Sequence, residues 1–439
     1  MREDSSSFSD RRMIDRLPYA FRTTVAAWVV VPAVVIEFLN FFQRGMPWRG
    51  EGIWTVEWMA IGLFLLGPVI SGFAAVETAR LFRPGSVHQI TVSRQRHRAL
   101  WNVVTWCGLA VCAVHIGFTA AGLIVGLVPS SVDWASMAGG LLLQCLAILW
   151  YTAIGMAAGR VMPPLVSGVV AAVLGFGSFY ALGSSYVGDE FALLDFGAST
   201  VSRIGLDYNP RYLGFQAAVL LVSAVLMAAV TLFPRGRGAQ ARWVAVGVSV
   251  TLAVLLGVAN AFGPDQRWVA APQPPDTCVG VGDADWAEYC VFAEHRGYID
   301  ELDRVYRPLR QAAVENGYDA FVFEKAWELS RTYAPADGSV AGFTFVPSIH
   351  EEGEIDPYRL AYDLVYPEQC EELHSGAPPG DGFWTSMDRL SFTWISLMGI
   401  DPDRYAQESF TQGRAEPMTP EEAQAVMDGL QNCDWTDSE

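Results

Sequence analysis

Lysine is almost missing from this chain of 439 residues: Lys325 is the only one, beside 28 arginines. A nucleotide-binding loop of the Gly-x-x-x-x-Gly-Lys type needs a lysine next to glycines, whereas Lys325 stands in Phe-Glu-Lys-Ala-Trp. The sequence therefore excludes such a loop. An enzyme that forms a Schiff base on lysine is disfavoured for the same reason.

Charged residues are also scarce, at 17%, while 51% of the residues are apolar. This combination excludes disordered, collagen-like and coiled-coil proteins and indicates a membrane protein with a soluble part. The net charge of −18 is uneven, because residues 265–439 hold 34 acidic and 11 basic residues while residues 1–264 carry +5. The acidic half would repel phosphates, so we expect no nucleic acid partner.

Seven apolar stretches are long enough to cross a bilayer, which takes about 20 residues. They lie near residues 22–43, 57–80, 100–128, 134–159, 163–184, 212–233 and 243–263. Arginine is concentrated in the N-terminal segment and in alternate loops, which indicates a cytoplasmic N-terminus. Because seven is odd, the C-terminus would be extracellular. We therefore predict a cytoplasmic segment over 1–21, a transmembrane domain over 22–264 and an extracellular domain over 265–439.

Four of the seven cysteines lie in the half that this topology assigns to the outside of the cell. An even number there is typical of disulfides, and four cysteines allow three pairings. Cys278 with Cys290 closes a short loop and is the first choice, which leaves Cys370 with Cys433. A zinc site is the alternative, but the spacings match no zinc pattern.

Three polar side chains interrupt the apolar spans: Glu37 in the first, His115 in the third and Gln144 in the fourth. Polar groups inside a bilayer are costly and are functional candidates. We predict that they line a translocation path, and the alternative is that a neighbouring helix simply satisfies each one. Glu57 and Glu77 lie close to span ends and need no special explanation. Six tryptophans near predicted span ends fit an interfacial belt: residues 48, 54, 58, 101, 134 and 243.

The C-terminal half has helical periodicity over about 297–316 and again over 385–399. Residues 318–330 also look helical, and residues 342–346 are typical of a strand. Thr419-Pro-Glu-Glu422 is a capping box that begins a final helix. The expected fold class is an all-α polytopic membrane protein with a mostly helical α+β C-terminal domain.

The C-terminal half contains little that indicates enzyme chemistry. His295, His350 and His374 lie among carboxylates without a regular spacing, so we interpret these patches as solvated surface. Neither a second histidine for a zincin helix nor a Gly-x-Ser-x-Gly nucleophile motif is present. We therefore predict no enzymatic activity, no catalytic residue, no bound metal and no cofactor.

Two connections between spans are unusual. The cytoplasmic segment Phe82–Arg98 is short and basic, and a topology signal alone would account for its arginines. The segment Phe191-Ala-Leu-Leu-Asp-Phe196 is too short to span a membrane and too apolar for a simple loop. It suggests a re-entrant or interfacial hairpin.

The arrangement over roughly residues 20–235 resembles the type-2 ATP-binding-cassette (ABC) transporter permeases. Members of that family have six spans, a cytoplasmic coupling segment after the second span and re-entrant elements between the fifth and sixth spans. The stretch Ala74-Ala-Val-Glu-Thr-Ala-Arg80, followed by Thr91-Val-Ser-Arg-Gln-Arg-His-Arg98, is similar to a pattern of actinobacterial members. The seventh span and the C-terminal domain depart from the six-span core.

This resemblance implies a plasma-membrane subunit of an exporter that works with a separate ATPase and a second permease subunit. Closure of the ATPases would push on Phe82–Arg98 and would rock the first, second and fifth spans. Arg94, Arg96 and Arg98 are the candidate contacts with the ATPase. The alternative is a non-transporting membrane anchor whose extracellular domain binds a ligand or a protein partner.

Overall fold

The computed structural model describes residues 21, 23–82, 100–126, 134–183, 191–197, 202–232, 247, 250–251, 254–259, 261–271, 274–275, 277–280, 288–330, 341–344, 355–367, 370, 380–405 and 416–434. Six helices among these residues are long and apolar enough to cross a membrane. The chain is therefore a mostly helical, multi-pass membrane protein, in agreement with the predicted class.

These six candidate spans coincide with the first six predicted from the sequence. They run over Ala26–Gly45, Leu63–Leu81, Leu100–Val125, Trp134–Val161, Pro164–Gly183 and Pro210–Ala229. The seventh predicted span, 243–263, is described only in part. Its described residues 247, 250–251, 254–259 and 261–262 are helical, and Leu255 and Leu256 pack against the bundle. The seventh crossing stays a prediction.

The helices of the membrane half are, in chain order, α1 (Val30–Phe42), α2 (Gly52–Ala60), α3 (Leu63–Leu81), α4 (Val111–Val125), α5 (Trp134–Val161), α6 (Pro164–Gly183) and α7 (Pro210–Leu232). A 3-10 turn at Ala26–Val29 precedes α1, and a π-helical turn at Val104–Ala110 precedes α4. The first span therefore begins with a stretch that departs from α-helical geometry, and the third span contains one after its first four residues.

Glycines bring α3 and α5 into backbone contact. A Cβ atom on Gly155 would lie 2.3 Å from the carbonyl oxygen of Ser71, and one on Gly159 would lie 2.3 Å from that of Ala75. The Ser71 hydroxyl donates to the carbonyl of Tyr151 at 3.0 Å. Helices in lipid associate mainly through such close packing of small residues. The second and fourth spans therefore form a tight pair at the centre of the bundle.

The second span begins later than the sequence predicts. Hydropathy predicts one helix over 57–80, whereas the chain turns at Ile61–Gly62, between α2 and α3. The side-chain amide of Asn40 on α1 donates to the carbonyls of Trp58, at 3.1 Å, and Met59, at 3.3 Å. Because these carbonyls bond to another helix, the break is stabilised by a contact that local hydropathy does not reveal.

The interfacial belt predicted from tryptophan is only partly correct. Three of its members are buried together in one cluster: Trp48, Trp54 and Trp58. They lie on or beside α2, which packs against α1 and α4 instead of facing lipid. Trp101 and Trp134 are more than half exposed, as an interfacial position requires. Trp243 lies outside the described residues.

A two-stranded sheet joins the two halves of the chain. Strand β1 (Leu206–Tyr208) precedes α7 and pairs antiparallel with β2 (Trp268–Ala270). Tyr208 stacks on Trp268 with 4.7 Å between ring centroids. The segment that leads from the bundle to the C-terminal domain is therefore extended and fixed to the membrane half by backbone hydrogen bonds.

The described residues of the C-terminal domain form a four-stranded sheet and four α-helices. The strands are β3 (Thr277–Gly280), β4 (Glu288–Val291), β5 (Lys325–Leu329) and β6 (Ala341–Thr344), in that order across the sheet. Strands β3 and β4 are antiparallel, and β5 runs parallel to both β4 and β6. The helices are α8 (Ile299–Asn316), α9 (Pro357–Val365), α10 (Asp381–Leu397) and α11 (Pro420–Gln431).

One apolar core holds this domain together. Trp394 on α10 stacks on Phe321 with 4.8 Å between ring centroids, and its indole nitrogen donates to the carbonyl of Leu309 at 2.9 Å. The buried indole thus has its polar atom satisfied, which is the arrangement that stabilises a buried tryptophan.

Most secondary structure predicted for this domain is confirmed. The helices predicted over 297–316 and 385–399 are present, the capping box at Thr419 begins α11, and the predicted strand is β6. The helix predicted over 318–330 is wrong, because this stretch contains β5 between two parallel neighbours. The charged Glu328 occupies a buried position of β5 and so conceals the strand pattern.

Both predicted disulfides are present. Cys278–Cys290 joins residues that face each other on β3 and β4. Cys370–Cys433 ties the chain beyond α9 to the end of α11. The domain is therefore cross-linked at one sheet edge and again at its last helix.

Candidate functional site in the membrane bundle

The three polar residues predicted from the sequence lie side by side inside the bundle and are called here the triad. Glu37 on α1 contacts His115 on α4, with 2.7 Å between Oε1 and Nδ1. The other ring nitrogen of His115 lies 2.7 Å from Oε1 of Gln144 on α5. None of the three is more than 1% exposed. One imidazole therefore connects the first, third and fourth spans.

The orientation of the Gln144 amide decides where the protons of the triad lie. Its nitrogen donates to the backbone carbonyl of Val56 on α2 at 2.9 Å, so its oxygen faces His115. That oxygen is an acceptor, and Nε2 of His115 must therefore carry a proton. A second proton lies between Nδ1 and the Glu37 carboxyl, because two bare acceptors would repel at 2.7 Å. Whichever atom holds this proton, the Glu37–His115 pair as a whole is neutral.

A neutral pair is the form that a water-poor interior tolerates. Moving α1 away from α4 would leave an unpaired carboxyl and imidazole in the membrane, which is costly unless new partners appear. Among the described residues, nothing donates a hydrogen bond to the second carboxyl oxygen of Glu37. The triad is enclosed by protein in this conformation, so a path past it requires the bundle to open.

A second group of buried charges surrounds Glu57 on α2. Oε2 of Glu57 accepts from Nε of Arg203 at 2.8 Å, and a terminal nitrogen of Arg267 lies 3.5 Å from Oε1. Arg267 also donates to the carbonyl of Asp195 at 2.5 Å. Gly197 has a φ of +85° and lies so near Glu57 that a Cβ atom would overlap the carboxylate. This group fixes α2 to β2 and to the chain between the fifth and sixth spans.

The apolar segment between the fifth and sixth spans is irregular and buried. Residues 191–194 and 196 are at most 7% exposed. The Tyr212 hydroxyl bonds both backbone groups of Ala192, at 3.1 and 3.0 Å, and the Gln216 amide donates to two further carbonyls of the segment at 2.8 Å. Irregular backbone at membrane depth is tolerated only where protein groups satisfy it, and α7 supplies these groups.

A third group of charges joins the bundle to the C-terminal domain and is called here the junction. Glu51 lies just before α2, and its Oε1 atom is 3.3 Å from Nε2 of His295. Its Oε2 atom accepts a hydrogen bond from the backbone nitrogen of Arg203 at 2.9 Å. Nδ1 of His295 pairs with Glu328 on β5. The other oxygen of Glu328 accepts from the backbone nitrogen of Phe292 at 2.8 Å. Every carboxylate oxygen of the junction thus has a polar neighbour.

The junction requires a protonated imidazole. Burial alone would lower the pKa of His295, but Glu328 and Glu51 outweigh burial and raise this pKa to about 10. Two further groups face the imidazole. One is the neighbouring Glu294, whose own pKa is raised by burial. The other is the Tyr298 ring, whose centroid lies 6.0 Å from that of the imidazole. His295 is therefore an imidazolium at neutral pH and balances carboxylates from both halves of the chain.

The backbone is equally close at this contact. Gly50 has a φ of +94°, and a Cβ atom there would lie 2.5 Å from the carbonyl oxygen of Glu294. A side chain at position 50 would therefore be strained and would also push the C-terminal domain away from the bundle.

Sequence reasoning finds the triad and misses the other two groups. The sequence interpretation leaves Glu57 without a role, yet it is fully buried between two arginines that follow much later in the chain. It also assigns His295 to solvated surface, which is wrong, since this side chain is 1% exposed. His350 and His374 lie outside the described residues. So do the predicted contacts with the ATPase, Arg94, Arg96 and Arg98.

No family model, curated protein or solved structure matches this chain. Over the described ranges, no three His, Cys, Asp or Glu side chains are grouped so that they could hold a metal ion. The case for a function therefore depends on the geometry of the chain's own residues.

Proposed function

We propose that this protein is the membrane-spanning subunit of an ABC-type exporter, driven by a separate ATPase and paired with a second permease subunit. The observation that carries the proposal is the order of its elements. Six apolar helices follow one another, and the buried irregular segment at 191–197 lies between the fifth and sixth of them. This order is the one expected of a type-2 permease.

In this proposal the triad lies beside the path of the substrate. The first span moves against the third and fourth during transport, and Glu37, His115 and Gln144 become accessible when the bundle opens. Buried ionisable groups within spans are the usual markers of such paths. Because the tight contact between α3 and α5 ties the second span to the fourth, we assign the movement to the first span, which departs from the expectation that the second span rocks with it.

The orientation that belongs to this proposal has a cytoplasmic N-terminus and an extracellular C-terminal domain. Two disulfides in that domain support it, because disulfides persist in oxidising compartments. A reporter that is active only in the cytoplasm should stay silent when fused after Glu439 and should be active when fused at the N-terminus. A cytoplasmic signal from the C-terminal fusion would contradict the orientation.

The experiment that tests the ATPase partnership is a pull-down of the tagged full chain from its own membranes. We expect an ATP-binding-cassette ATPase among the co-purified proteins. The triple variant Arg94→Ala, Arg96→Ala, Arg98→Ala should insert normally and lose that ATPase, because arginines desolvated against carboxylates of a partner contribute strongly to binding.

The matched control removes the same charge from the predicted cytoplasmic loop after the sixth span, through Arg235→Ala, Arg237→Ala and Arg242→Ala. This variant should retain the ATPase, since only Phe82–Arg98 corresponds to the coupling segment. If the wild-type chain brings down no ATPase, the transporter proposal is wrong. If both triple variants behave alike, the arginines serve only as topology signals.

A second candidate is a membrane anchor that presents the C-terminal domain to a ligand or protein partner. The junction favours it, because buried charges and close backbone contact fix this domain in one position on the bundle. The same pull-down separates the two candidates. An anchor would bring down an extracellular partner without an ATPase, and that partner would be lost when residues 277–439 are deleted.

A further inference from the structure

Helix α2 contacts both the C-terminal domain and the triad. Eight of its nine residues are buried. Its first residue follows Glu51, whose carboxylate contacts His295 of the C-terminal domain at 3.3 Å. Its Val56 carbonyl accepts from the Gln144 amide of the triad at 2.9 Å. Val56 follows Glu51 by five positions, which corresponds to about 7.5 Å along the helix axis.

Further contacts make α2 move as one unit. The Thr55 hydroxyl donates to the carbonyl of Glu51 at 2.7 Å, which ties the start of the helix to its middle. At the other end, the Trp58 indole donates to the carbonyl of Asn40 at 2.9 Å, so α2 is also fixed to α1, which carries Glu37. A displacement of Glu51 therefore reaches Val56 and Trp58 without being absorbed in a flexible loop.

We propose that α2 transmits the position of the C-terminal domain to the triad. A shift of this domain moves Glu51 through the junction, and α2 carries the movement to the Val56 carbonyl. The Gln144 amide then loses its fixed orientation, so its oxygen no longer faces Nε2 of His115 squarely, while the Nε2 proton stays on the ring. The proton shared with Glu37 stays within the pair and changes only the atom that holds it. This coupling operates whether the chain transports or serves as an anchor.

Coupling between two sites is reciprocal, so the proposal can be tested in both directions. In the forward direction, Glu51→Gln removes one of the two carboxylates that hold His295 and leaves the triad's own side chains intact. Nitrogen-15 NMR of histidine in the full chain in lipid nanodiscs reports His115, whose signals are assigned with His115→Gln. We expect Glu51→Gln to shift both His115 ring nitrogens. The control Glu416→Gln, which changes an exposed acid of the same domain, should not.

In the reverse direction, Gln144→Met keeps the length of the side chain and removes both of its hydrogen bonds. The measurement is hydrogen exchange of the backbone over residues 288–298, which contain β4 and His295. We expect exchange there to rise about fivefold or more, the lower end of typical coupling between sites. The control Thr105→Val removes a hydroxyl of the third span that bonds only its own helix at 2.9 Å. It should leave this exchange unchanged.

The reverse experiment does not depend on a variant of the junction, so it decides the matter even if Glu51→Gln lowers the yield of folded protein. Unchanged exchange over 288–298 in Gln144→Met overturns the proposal. So does a His115 spectrum that is identical in Glu51→Gln and in the wild type. An equal rise in exchange for Thr105→Val would also overturn it, because the effect would then reflect general loosening of the bundle.

Discussion

The neutral Glu37–His115 pair predicts which substitutions the bundle tolerates. In Glu37→Gln, the new amide nitrogen can donate to Nδ1 of a neutral imidazole, so the pair stays neutral and the imidazole keeps both of its hydrogen-bond partners. We expect a cost of about 1 kcal/mol or less, since one buried hydrogen bond replaces another. In His115→Leu, the carboxyl of Glu37 and the amide oxygen of Gln144 both lose their partner in a site that water does not reach.

We expect His115→Leu to lower the stability of the membrane half more than Glu37→Gln does. Removing the imidazole leaves two buried groups without their partner, the Glu37 carboxyl and the Gln144 amide oxygen, and each costs about 1–3 kcal/mol. Glu37→Leu should fall between the two, at about 1–3 kcal/mol, because the imidazole can remain neutral while Nδ1 loses its partner. The expected order of destabilisation is therefore Glu37→Gln, then Glu37→Leu, then His115→Leu.

The free cysteines of the described chain provide the assay. Cys107 and Cys112 are buried and Cys145 is half-buried, all within the bundle, so a thiol-reactive fluorophore reports unfolding of the membrane half on heating. Gly117→Ala is the control. Gly117 lies on the same helix as His115, and the added methyl group would meet no atom within 4 Å. If Glu37→Gln unfolds at as low a temperature as His115→Leu, an amide does not replace the carboxyl beside the imidazole, and the expected tolerance of this substitution is refuted.

Two further predictions concern the C-terminal domain. Removal of Cys278–Cys290 by paired Cys→Ser changes should lower the stability of the domain by about 3 kcal/mol, and removal of Cys370–Cys433 by about 4 kcal/mol, because the two disulfides close loops of 12 and 63 residues. Denaturant-dependent hydrogen exchange of the full chain ranks the two losses of stability. The opposite order would contradict the loop-entropy argument. The pKa of His295 is about 10 in the folded chain, compared with an ordinary value of 6.5. The contribution of this imidazolium to folding stability is therefore complete below about pH 6.5 and is lost as the pH rises through 10. Thermal unfolding between pH 7 and pH 10 should show this loss, and His295→Gln should remove it; equal pH profiles for the two proteins would contradict it.

The sequence predicts those features that are visible without knowledge of distant neighbours. A glutamate or histidine in a long apolar run is conspicuous because the bilayer penalises it, and Glu37 and His115 are found in this way. The capping box at Thr419 and the short loop between Cys278 and Cys290 are likewise local signals. Each depends on residues that are close together in the chain.

The features that the sequence does not predict depend on partners far along the chain. Glu57 is ambiguous near a span end, and only the fold reveals Arg203, which lies 146 residues later. The turn before α3 depends on the Asn40 amide from another span. Strand β5 is hidden because its buried Glu328 looks like a helix surface residue until His295 is placed beside it. In each case a tertiary contact overrides local propensity.

The buried carboxylates around α2 have a consequence for the biosynthesis of the chain. Glu51 and Glu57 are synthesised early, whereas the cations that balance them, Arg203, Arg267 and His295, are synthesised much later. Until those cations are made, the two carboxylates lack the partners that offset the cost of burying them. The membrane half can therefore reach its final packing only after Arg267 and His295 have been translated. A ribosome that stops early should leave an unfinished bundle that membrane proteases can recognise.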